Sequence, residues 1–163
     1  MLRLDPKTTA VVAIDMHRGH LDPAVATLPL PAERCGPVIK RAAALFAGVR
    51  PLGVPVIHVV TENRDPGEIA ANPFWRSIHD DPSKARKGIL RHNLLGGPGV
   101  EIIPELLDPA DTVVHGKKRY NAFQGTDLEF VLRRRGVASV ILAGINTTTC
   151  VLCAGFEATN LDF

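Results

Sequence analysis

Short apolar runs alternate with amphipathic stretches along the whole chain of 163 residues. The four clearest runs are rich in β-branched residues and read TTAVVAIDM, VPVIHVVT, DTVVHGK and VASVILAGI. Short apolar runs bounded by turn residues are typical of strands that are buried on both faces of a parallel sheet. The alternation therefore predicts a three-layer αβα, Rossmann-like fold, in which helices cover both faces of a mainly parallel sheet.

Apolar residues at helical spacing predict three helices between and after these strands. The stretch ERCGPVIKRAAALFAGVRPLG predicts a helix that ends at Gly53. GTDLEFVLRRRG predicts a helix that is capped by Thr126 or Asp127 and ends at Gly136. TTTCVLCAGFEATNLDF predicts a helix with hydroxyl residues at its N-cap, and turn residues throughout the segment 62–99 predict a long irregular connection.

We expect one domain spanning residues 1–163, because a chain of this length has room for a single hydrophobic core. Hydrophobic residues make up 45% and charged residues 22%, as in soluble globular proteins. The net charge of +2, without a long basic run, predicts no nucleic-acid partner. No run approaches the roughly 20 apolar residues of a membrane helix. The N-terminus has no apolar signal segment, so a cytoplasmic location without membrane association is expected.

The last predicted helix runs to the end of the chain at Phe163. A sheet of this kind would continue with a further strand at that point, so we expect a C-terminal strand and helix to be absent from this sequence. The open sheet edge would then be weaker or would pair with another element.

Three reactive side chains follow predicted strands, each at a carboxyl end. Asp15 follows the first strand, Lys117 the third and Cys150 the fourth. Because ligands bind at the carboxyl ends of the strands in open parallel sheets, we expect these side chains to meet in one site. Asp15 would be a general base, Lys117 a cation beside it and Cys150 a nucleophile.

Each of these assignments has an alternative. The start of the predicted helix would lower the pKa of the Cys150 thiol, but a cysteine at this position could also be a buried structural residue. Asp15 could cap a helix or join an ion pair. Lys118 and Arg119 compete with Lys117 for the role of the cation.

The histidines suggest only a loose metal site. His17 and His20 cluster with Asp15 and Asp22, but the spacing is irregular and no histidine in TENRDPGE completes the set. Three cysteines without a secretory signal predict no disulfide framework. We therefore predict neither a metal nor any other cofactor.

Three segments carry a resemblance to a known family: AVVAIDMHRGHLD, GKKRYNAFQGTDLEFVLRRRG and ILAGINTTTCVLCAGFEATNLDF. With these segments the chain resembles the isochorismatase-like cysteine hydrolases, over essentially its whole length. The resemblance implies that Asp15 is the general base, Lys117 the lysine of the catalytic triad and Cys150 the nucleophile. It also implies a homo-oligomer and a cis peptide at Ile145–Asn146, with the N–H groups of Asn146 and Cys150 forming the oxyanion hole.

The same resemblance narrows the activity to an amidohydrolase branch. Metal-binding nicotinamidases have a further histidine after the second strand, which this chain lacks, and several isochorismatases proper lack the cysteine. The implied activity is hydrolysis of a small-molecule amide, carbamoyl or ureido compound through a thioester. The alternatives are a metal-assisted nicotinamidase, a vinyl-ether hydrolase on the same fold, and a non-catalytic scaffold.

Substrate contacts are expected from two sources. The segment 62–99 offers an aromatic wall and an arginine clamp for a substrate carboxylate. Residues near the strand ends offer a second set of side chains. The predicted contacts are Phe74, Trp75, Arg64, Arg76, Arg86 and Arg91 from the segment, and Arg18, Tyr120 and Phe123 near the strand ends.

Overall fold

A four-stranded parallel sheet forms the centre of the protein, with the strand order β3-β2-β1-β4. The computed structural model describes residues 3–27, 30–81, 83 and 88–163. The strands are β1 Thr9–Ile14, β2 Val56–Thr61, β3 Thr112–Lys117 and β4 Ser139–Gly144. All four match the apolar runs of the sequence.

Helices cover both faces of the sheet, as predicted. The α-helices are α1 Arg18–Leu21, α2 Ala32–Val49, α3 Pro66–Ala70, α4 Pro73–Asp80, α5 Leu128–Arg134 and α6 Leu152–Asn160. Short 3-10 turns lie at Pro6–Thr8, Arg50–Leu52, Ile89–Arg91, Pro98–Val100 and Pro104–Leu106. In the described ranges no helix has both the length and the apolar content to cross a membrane.

The alternation of side chains along β1 divides the core into two layers. Ala10, Val12 and Ile14 pack with residues of α5 and α6. Val11 and Ala13 pack on the opposite face with residues of α2. Because successive side chains of a strand point to opposite faces, a strand that is apolar throughout must be covered on both sides. The three-layer αβα fold predicted from the sequence is therefore confirmed.

The close approach of β4 to β1 depends on a glycine at the end of β4. Gly144 has a φ of 134°, and a Cβ atom there would lie 2.1 Å from the carbonyl oxygen of Ile14. Any larger side chain would collide with the β1 backbone. Among the described residues β4 pairs with β1 alone, and all six of its residues are partly exposed.

Two predicted helix boundaries are correct and follow from glycine. Gly53 and Gly136 have φ values of 78° and 68°, which favour glycine and end the regular structure before them. At the start of α5 the sequence left two caps open. The Thr126 hydroxyl accepts a hydrogen bond from the N–H of Leu128 at 3.3 Å, whereas the side chain of Asp127 makes no capping bond.

The predicted irregular segment contains two short helices, which corrects the sequence interpretation. Proline stands at the first position of both α3 and α4. The Asp65 carboxylate accepts a hydrogen bond from the Glu68 N–H at 3.1 Å, and the Asn72 side chain accepts one from the Phe74 N–H at 2.9 Å. Capped and proline-started turns explain why helix forms in a segment that is rich in turn residues.

The beginning of the last helix also differs from its prediction. A π-helical turn, Thr147–Val151, precedes α6, and Asn146 rather than a hydroxyl residue is the N-cap. The Asn146 carbonyl accepts hydrogen bonds from the N–H groups of Thr149 and Val151, both at 3.2 Å. The backbone carbonyl thus satisfies the donors that a threonine hydroxyl was expected to satisfy.

Candidate active site

The structure brings Asp15, Lys117 and Cys150 together at the carboxyl edge of the sheet. Asp15 follows β1 directly, Lys117 is the last residue of β3, and Cys150 lies in the π-helical turn beyond β4. All three line one cavity of about 420 Å³. The site therefore lies where side chains from separate strands converge, as expected for an open parallel sheet.

Lys117 contacts both of the other two side chains. Its ammonium group donates a hydrogen bond to Asp15 Oδ2 at 2.7 Å and lies 3.4 Å from the Cys150 sulfur. A fourth residue, Thr61, completes the arrangement. Its hydroxyl accepts a hydrogen bond from Lys117 Nζ at 2.8 Å and donates one to Asp15 Oδ1 at 2.7 Å.

Sequence reasoning missed Thr61, although its position carried a signal. Thr61 is the last residue of β2, and β2 lies between β1 and β3 in the sheet. The register pairs Thr61 with Lys117 across the two strand ends. A polar residue at the end of the strand between the Asp15 strand and the Lys117 strand must lie close to both side chains.

Asp15 and Lys117 form an ionised pair because their mutual attraction outweighs the opposing effect of burial. The two side chains are only 1% and 2% exposed. Burial alone would raise the pKa of Asp15, but Lys117 and His17 lower that pKa well below its usual value. Burial alone would lower the pKa of Lys117, but Asp15 and Cys150 raise it above its usual value. The site therefore holds a carboxylate and an ammonium at neutral pH.

The Cys150 thiol behaves differently from the sequence expectation. Burial and the neighbouring Asp15 carboxylate raise the pKa of Cys150 to about 11, although Lys117 acts in the opposite direction. The expected lowering by a helix start is outweighed because the sulfur lies in a buried pocket beside a negative charge. At neutral pH the arrangement therefore pairs a protonated thiol with an ionised carboxylate, which can accept the thiol proton.

Three histidines pack beside Asp15. The rings of His17 and His20 stack with 5.0 Å between centroids, and the rings of His20 and His92 lie 4.8 Å apart. His17 Nε2 lies 3.5 Å from Asp15 Oδ1. Burial and the neighbouring histidines lower the pKa of His92 to about 2, so this ring is neutral. The Asn93 amide group contacts ring nitrogens of both His17 and His92 at 3.2 Å.

The loose metal cluster considered from the sequence does not form as a set. The Asp22 carboxylate accepts a hydrogen bond from Arg18 Nε at 2.9 Å, and Arg18 also pairs with Glu101 at 2.6 Å. Within the described part of the chain, no group of three or more His, Cys, Asp and Glu side chains is arranged to hold a metal ion.

The backbone beside Cys150 has the conformation that the resemblance implied. The peptide bond between Ile145 and Asn146 is cis, and both Asn146 and Cys150 line the cavity. Among the described residues, the N–H groups of Thr149 and Val151 donate hydrogen bonds to the Asn146 carbonyl. The N–H group of Cys150, which lies between them in the sequence, does not donate to this carbonyl.

Only part of the expected substrate contacts lie at the cavity. Trp75 and Tyr120 line it, and their rings are 6.2 Å apart. Phe74 is 57% exposed outside the lining. Phe123 instead stacks on Phe163 in the core, with 6.1 Å between the ring centroids.

Among the described residues of the segment 62–99, the expected arginine clamp does not form. Arg64 pairs through a short contact with Glu68, four residues further along the chain, and the Arg64 side chain is 77% exposed. Arg76 and Arg91 are exposed and lie outside the cavity lining, as does Arg18, which Asp22 and Glu101 hold. Arg86 lies outside the described residues.

Other lining residues were not predicted as substrate contacts. They line the cavity and come from the loop after β2, from α3, from the N-cap of α4, from the 3-10 turn Ile89–Arg91 and from the segment that follows β3. They include Asn63, Ile69, Asn72, Ile89, Lys118 and Arg119.

The chain thus combines a parallel α/β fold with a buried cysteine, aspartate and lysine at the carboxyl edge of its sheet. A comparison with known protein families identifies the class to which this combination belongs. The isochorismatase domain matches residues 9–163. The chain therefore belongs to the isochorismatase family, in agreement with the resemblance noted in its sequence.

Curated relatives support the same family. The chain is 36% identical to the isochorismatase family protein YecD of Escherichia coli O157:H7, over 100% of this chain and 78% of that protein. It is 29% identical to the ureidoacrylate amidohydrolase RutB of Methylobacterium radiotolerans, over 92% of this chain. The matched region covers 61% of the length of that RutB protein.

The fold matches that of a solved cysteine hydrolase from Pseudomonas syringae pv. phaseolicola 1448A. The TM-score is 0.83, the match covers 100% of this chain and 71% of the other, and the sequences are 22% identical. At this identity the match establishes the common fold.

Proposed function

We propose that the protein is a cysteine-dependent hydrolase that cleaves the C–N bond of a small amide, carbamoyl or ureido compound through a thioester. The observation that carries the proposal is the buried contact of Lys117 with both Asp15 and Cys150, at 2.7 and 3.4 Å, on the wall of a cavity. The name of the RutB relatives, ureidoacrylate amidohydrolase, supports the choice of a C–N bond.

In the first step Asp15 accepts the Cys150 proton while the sulfur attacks the substrate carbonyl carbon. An ionised Asp15 and a protonated Cys150 are the starting states that this step requires. The carbonyl π electrons move to oxygen, and the N–H groups of Asn146 and Cys150 are proposed to stabilise the oxyanion. Loss of one such donor typically costs about 100- to 1000-fold in rate.

In the second step the C–N bond breaks and the leaving nitrogen takes the proton from Asp15. This step releases ammonia or an amine and leaves an acyl or carbamoyl thioester on Cys150. Asp15 then accepts a proton from water, the hydroxide attacks the thioester, and the proton returns to the Cys150 sulfur. Lys117 favours the ionised form of Asp15 before it accepts a proton from the thiol and, later, from water, because its ammonium group compensates the buried negative charge.

The proposal is tested with a Cys150→Ala variant and a matched Cys153→Ala control. Cys153 lies three residues further along, outside the cavity lining. Ammonia release from a panel of primary amides and ureides should fall roughly 10⁴-fold or more in Cys150→Ala and should persist in Cys153→Ala. Rapid quenching of the wild-type reaction followed by mass spectrometry should detect the thioester on the peptide that contains Cys150.

Full turnover by Cys150→Ala would contradict the proposed nucleophile. It would instead mean that the C–N bond is hydrolysed without a thiol nucleophile.

A further inference from the structure

The positive charges around the cavity are not all neutralised. Lys117 is paired with Asp15 at 2.7 Å, and Lys118 is paired with Glu68 at 2.9 Å. Arg119 also lines the cavity, but the only hydrogen bond that it makes with the described residues runs from Nη1 to the Lys118 carbonyl at 2.7 Å. No carboxylate of the described residues pairs with this guanidinium group.

The unpaired state of Arg119 does not depend on the part of the chain outside the described ranges. The residues at 1–2, 28–29, 82 and 84–87 include no Asp and no Glu. Arg119 is nevertheless partly buried. Partial removal of a guanidinium group from water carries a free-energy cost, which a bound anion would offset.

The rest of the lining adds no negative charge. Asp15 is the one acidic side chain among the described lining residues, and Lys117 already compensates it. The cavity therefore has a net positive charge, which attracts an anion. Arg119 has several N–H donors beyond the one bound to Lys118, and their planar arrangement suits a carboxylate.

The position of Arg119 indicates which part of a substrate it would contact. Arg119 lies two residues beyond Lys117 and lines the same cavity as Cys150, and no hydrogen bond or ion pair among the described residues joins it to the Asp15–Lys117 pair. A cavity of about 420 Å³ accommodates a small molecule. Such a molecule can place its carbonyl group at the Cys150 sulfur and a second, charged group at Arg119.

We infer that Arg119 selects substrates that carry a carboxylate in addition to the scissile amide or ureide. The inference rests on the proposed function and adds the charge of the substrate and the residue that recognises it. Arg119 thus takes the role that the sequence had assigned to arginines of the segment 62–99.

The test compares two compounds of equal size that differ in charge. The anion is 3-ureidopropanoate, and its neutral match is 3-methylbutylurea, in which an isopropyl group replaces the carboxylate. The wild-type protein, Arg119→Gln, Arg119→Lys and a control, Arg76→Gln, are assayed for ammonia release. Arg76 is exposed and lies outside the cavity lining, so its substitution removes the same charge elsewhere.

We expect kcat/KM for the anion to fall roughly 10- to 100-fold in Arg119→Gln, with the neutral compound unchanged. Arg119→Lys should recover part of the loss, and Arg76→Gln should match the wild type. Equal losses for both compounds, or no loss for the anion, would overturn the inference while hydrolysis itself stands.

If neither compound is hydrolysed, the affinities of the protein for the two compounds test the role of Arg119. Dissociation constants for both compounds are then measured by calorimetry in Cys150→Ser with and without Arg119→Gln. Tighter binding of the anion that disappears with Arg119→Gln supports the inference even though the proposed hydrolysis has failed for these ureides. Equal affinities, or absence of binding by the anion, reject it.

Discussion

Two buried carboxylates lie at opposite ends of β3, and only one of them belongs to the candidate site. Asp15, which follows β1 in the sequence, pairs with Lys117 at the carboxyl end of β3. Asp111 precedes the strand and pairs with Arg50 at 2.5 Å and with His58 at 3.1 Å. Despite burial, which acts in the opposite direction, these ionic and hydrogen-bonding partners lower the pKa of both carboxylates.

The difference lies in what each carboxylate can do with a proton. The Asp111 oxygens accept hydrogen bonds from Arg50, from His58 and from the N–H of Asp108, and Asp111 is not a cavity residue. Asp15 borders a cavity and lies in a cluster with a protonated thiol. A shifted pKa alone therefore does not mark a catalytic group, whereas a shifted pKa beside a reactive side chain and an open cavity indicates one.

The largest expected effect separates these two carboxylates directly. Asp15→Asn should lower kcat by roughly 10³-fold or more, because the amide cannot accept the Cys150 proton. Asp111→Asn should leave kcat/KM within about twofold but should reduce the free energy of unfolding by about 2–4 kcal/mol, because Arg50 loses its buried partner. Steady-state assays at 20 °C and urea unfolding measure the two quantities.

A large loss of turnover in folded Asp111→Asn protein would contradict the assignment of a purely structural role to Asp111. Unchanged turnover in Asp15→Asn would exclude Asp15 as the base.

A smaller effect is expected from Thr61, which bridges the active carboxylate and the lysine. Thr61→Val removes the hydroxyl that contacts Asp15 Oδ1 at 2.7 Å and Lys117 Nζ at 2.8 Å, with little change in volume. We expect kcat to fall roughly 10- to 100-fold and the acid limb of the pH–kcat profile to shift to higher pH. The shift follows because Asp15 loses a hydrogen bond that stabilises its charged form.

Thr61→Ser is the matched control, since it keeps the hydroxyl and should restore most of kcat and the original profile. If serine and valine lower kcat equally without changing the profile, Thr61 contributes packing rather than positioning.

The smallest expected effect is a shift in the pH dependence of thiol labelling. Burial and Asp15 raise the pKa of Cys150 to about 11, so the thiolate population grows as the pH rises towards that value. Iodoacetamide should therefore label Cys150 slowly near pH 8 and faster at higher pH. Asp15→Asn removes a negative charge beside the sulfur, so the midpoint should move to lower pH, by roughly 1 unit.

Intact mass spectrometry with peptide mapping follows this labelling at each pH. Cys153, which is only partly buried, provides an internal comparison. A Cys150 midpoint near the ordinary thiol value of about 8.5 that Asp15→Asn does not move would contradict the electrostatic coupling.

The sequence predicted the fold and the strand ends well, for a physical reason. Strands buried on both faces must be apolar throughout, so β1 and β2 are distinct in the sequence. Parallel strands bring their carboxyl ends to one edge of the sheet. This was enough to group Asp15, Lys117 and Cys150. The cis peptide before Asn146 came from the family resemblance rather than from any pattern of residues.

Features that depend on distant partners were not predictable in the same way. Lys118 and Arg119 are adjacent cations in the sequence, and they differ because Glu68 on α3 neutralises only Lys118. The direction of the Cys150 pKa shift depends on burial, which a local reading of the helix start does not include. The π-helical turn likewise depends on which carbonyl oxygen accepts hydrogen bonds from the first N–H groups of the helix, here that of Asn146. The sequence of Thr147–Thr149 alone favours capping by a hydroxyl group.

The glycine at the end of β4 has a consequence for how this protein can diversify. A Cβ atom at Gly144 would lie 2.1 Å from the Ile14 carbonyl oxygen and 2.8 Å from the Ile14 nitrogen, so every missense change of this codon displaces β4 from β1. Asp15 directly follows Ile14, and Cys150 lies six residues beyond Gly144, so such a displacement would separate base from nucleophile. A mutant library aimed at new substrates should keep this codon fixed and vary the cavity wall at Trp75 and Tyr120 instead.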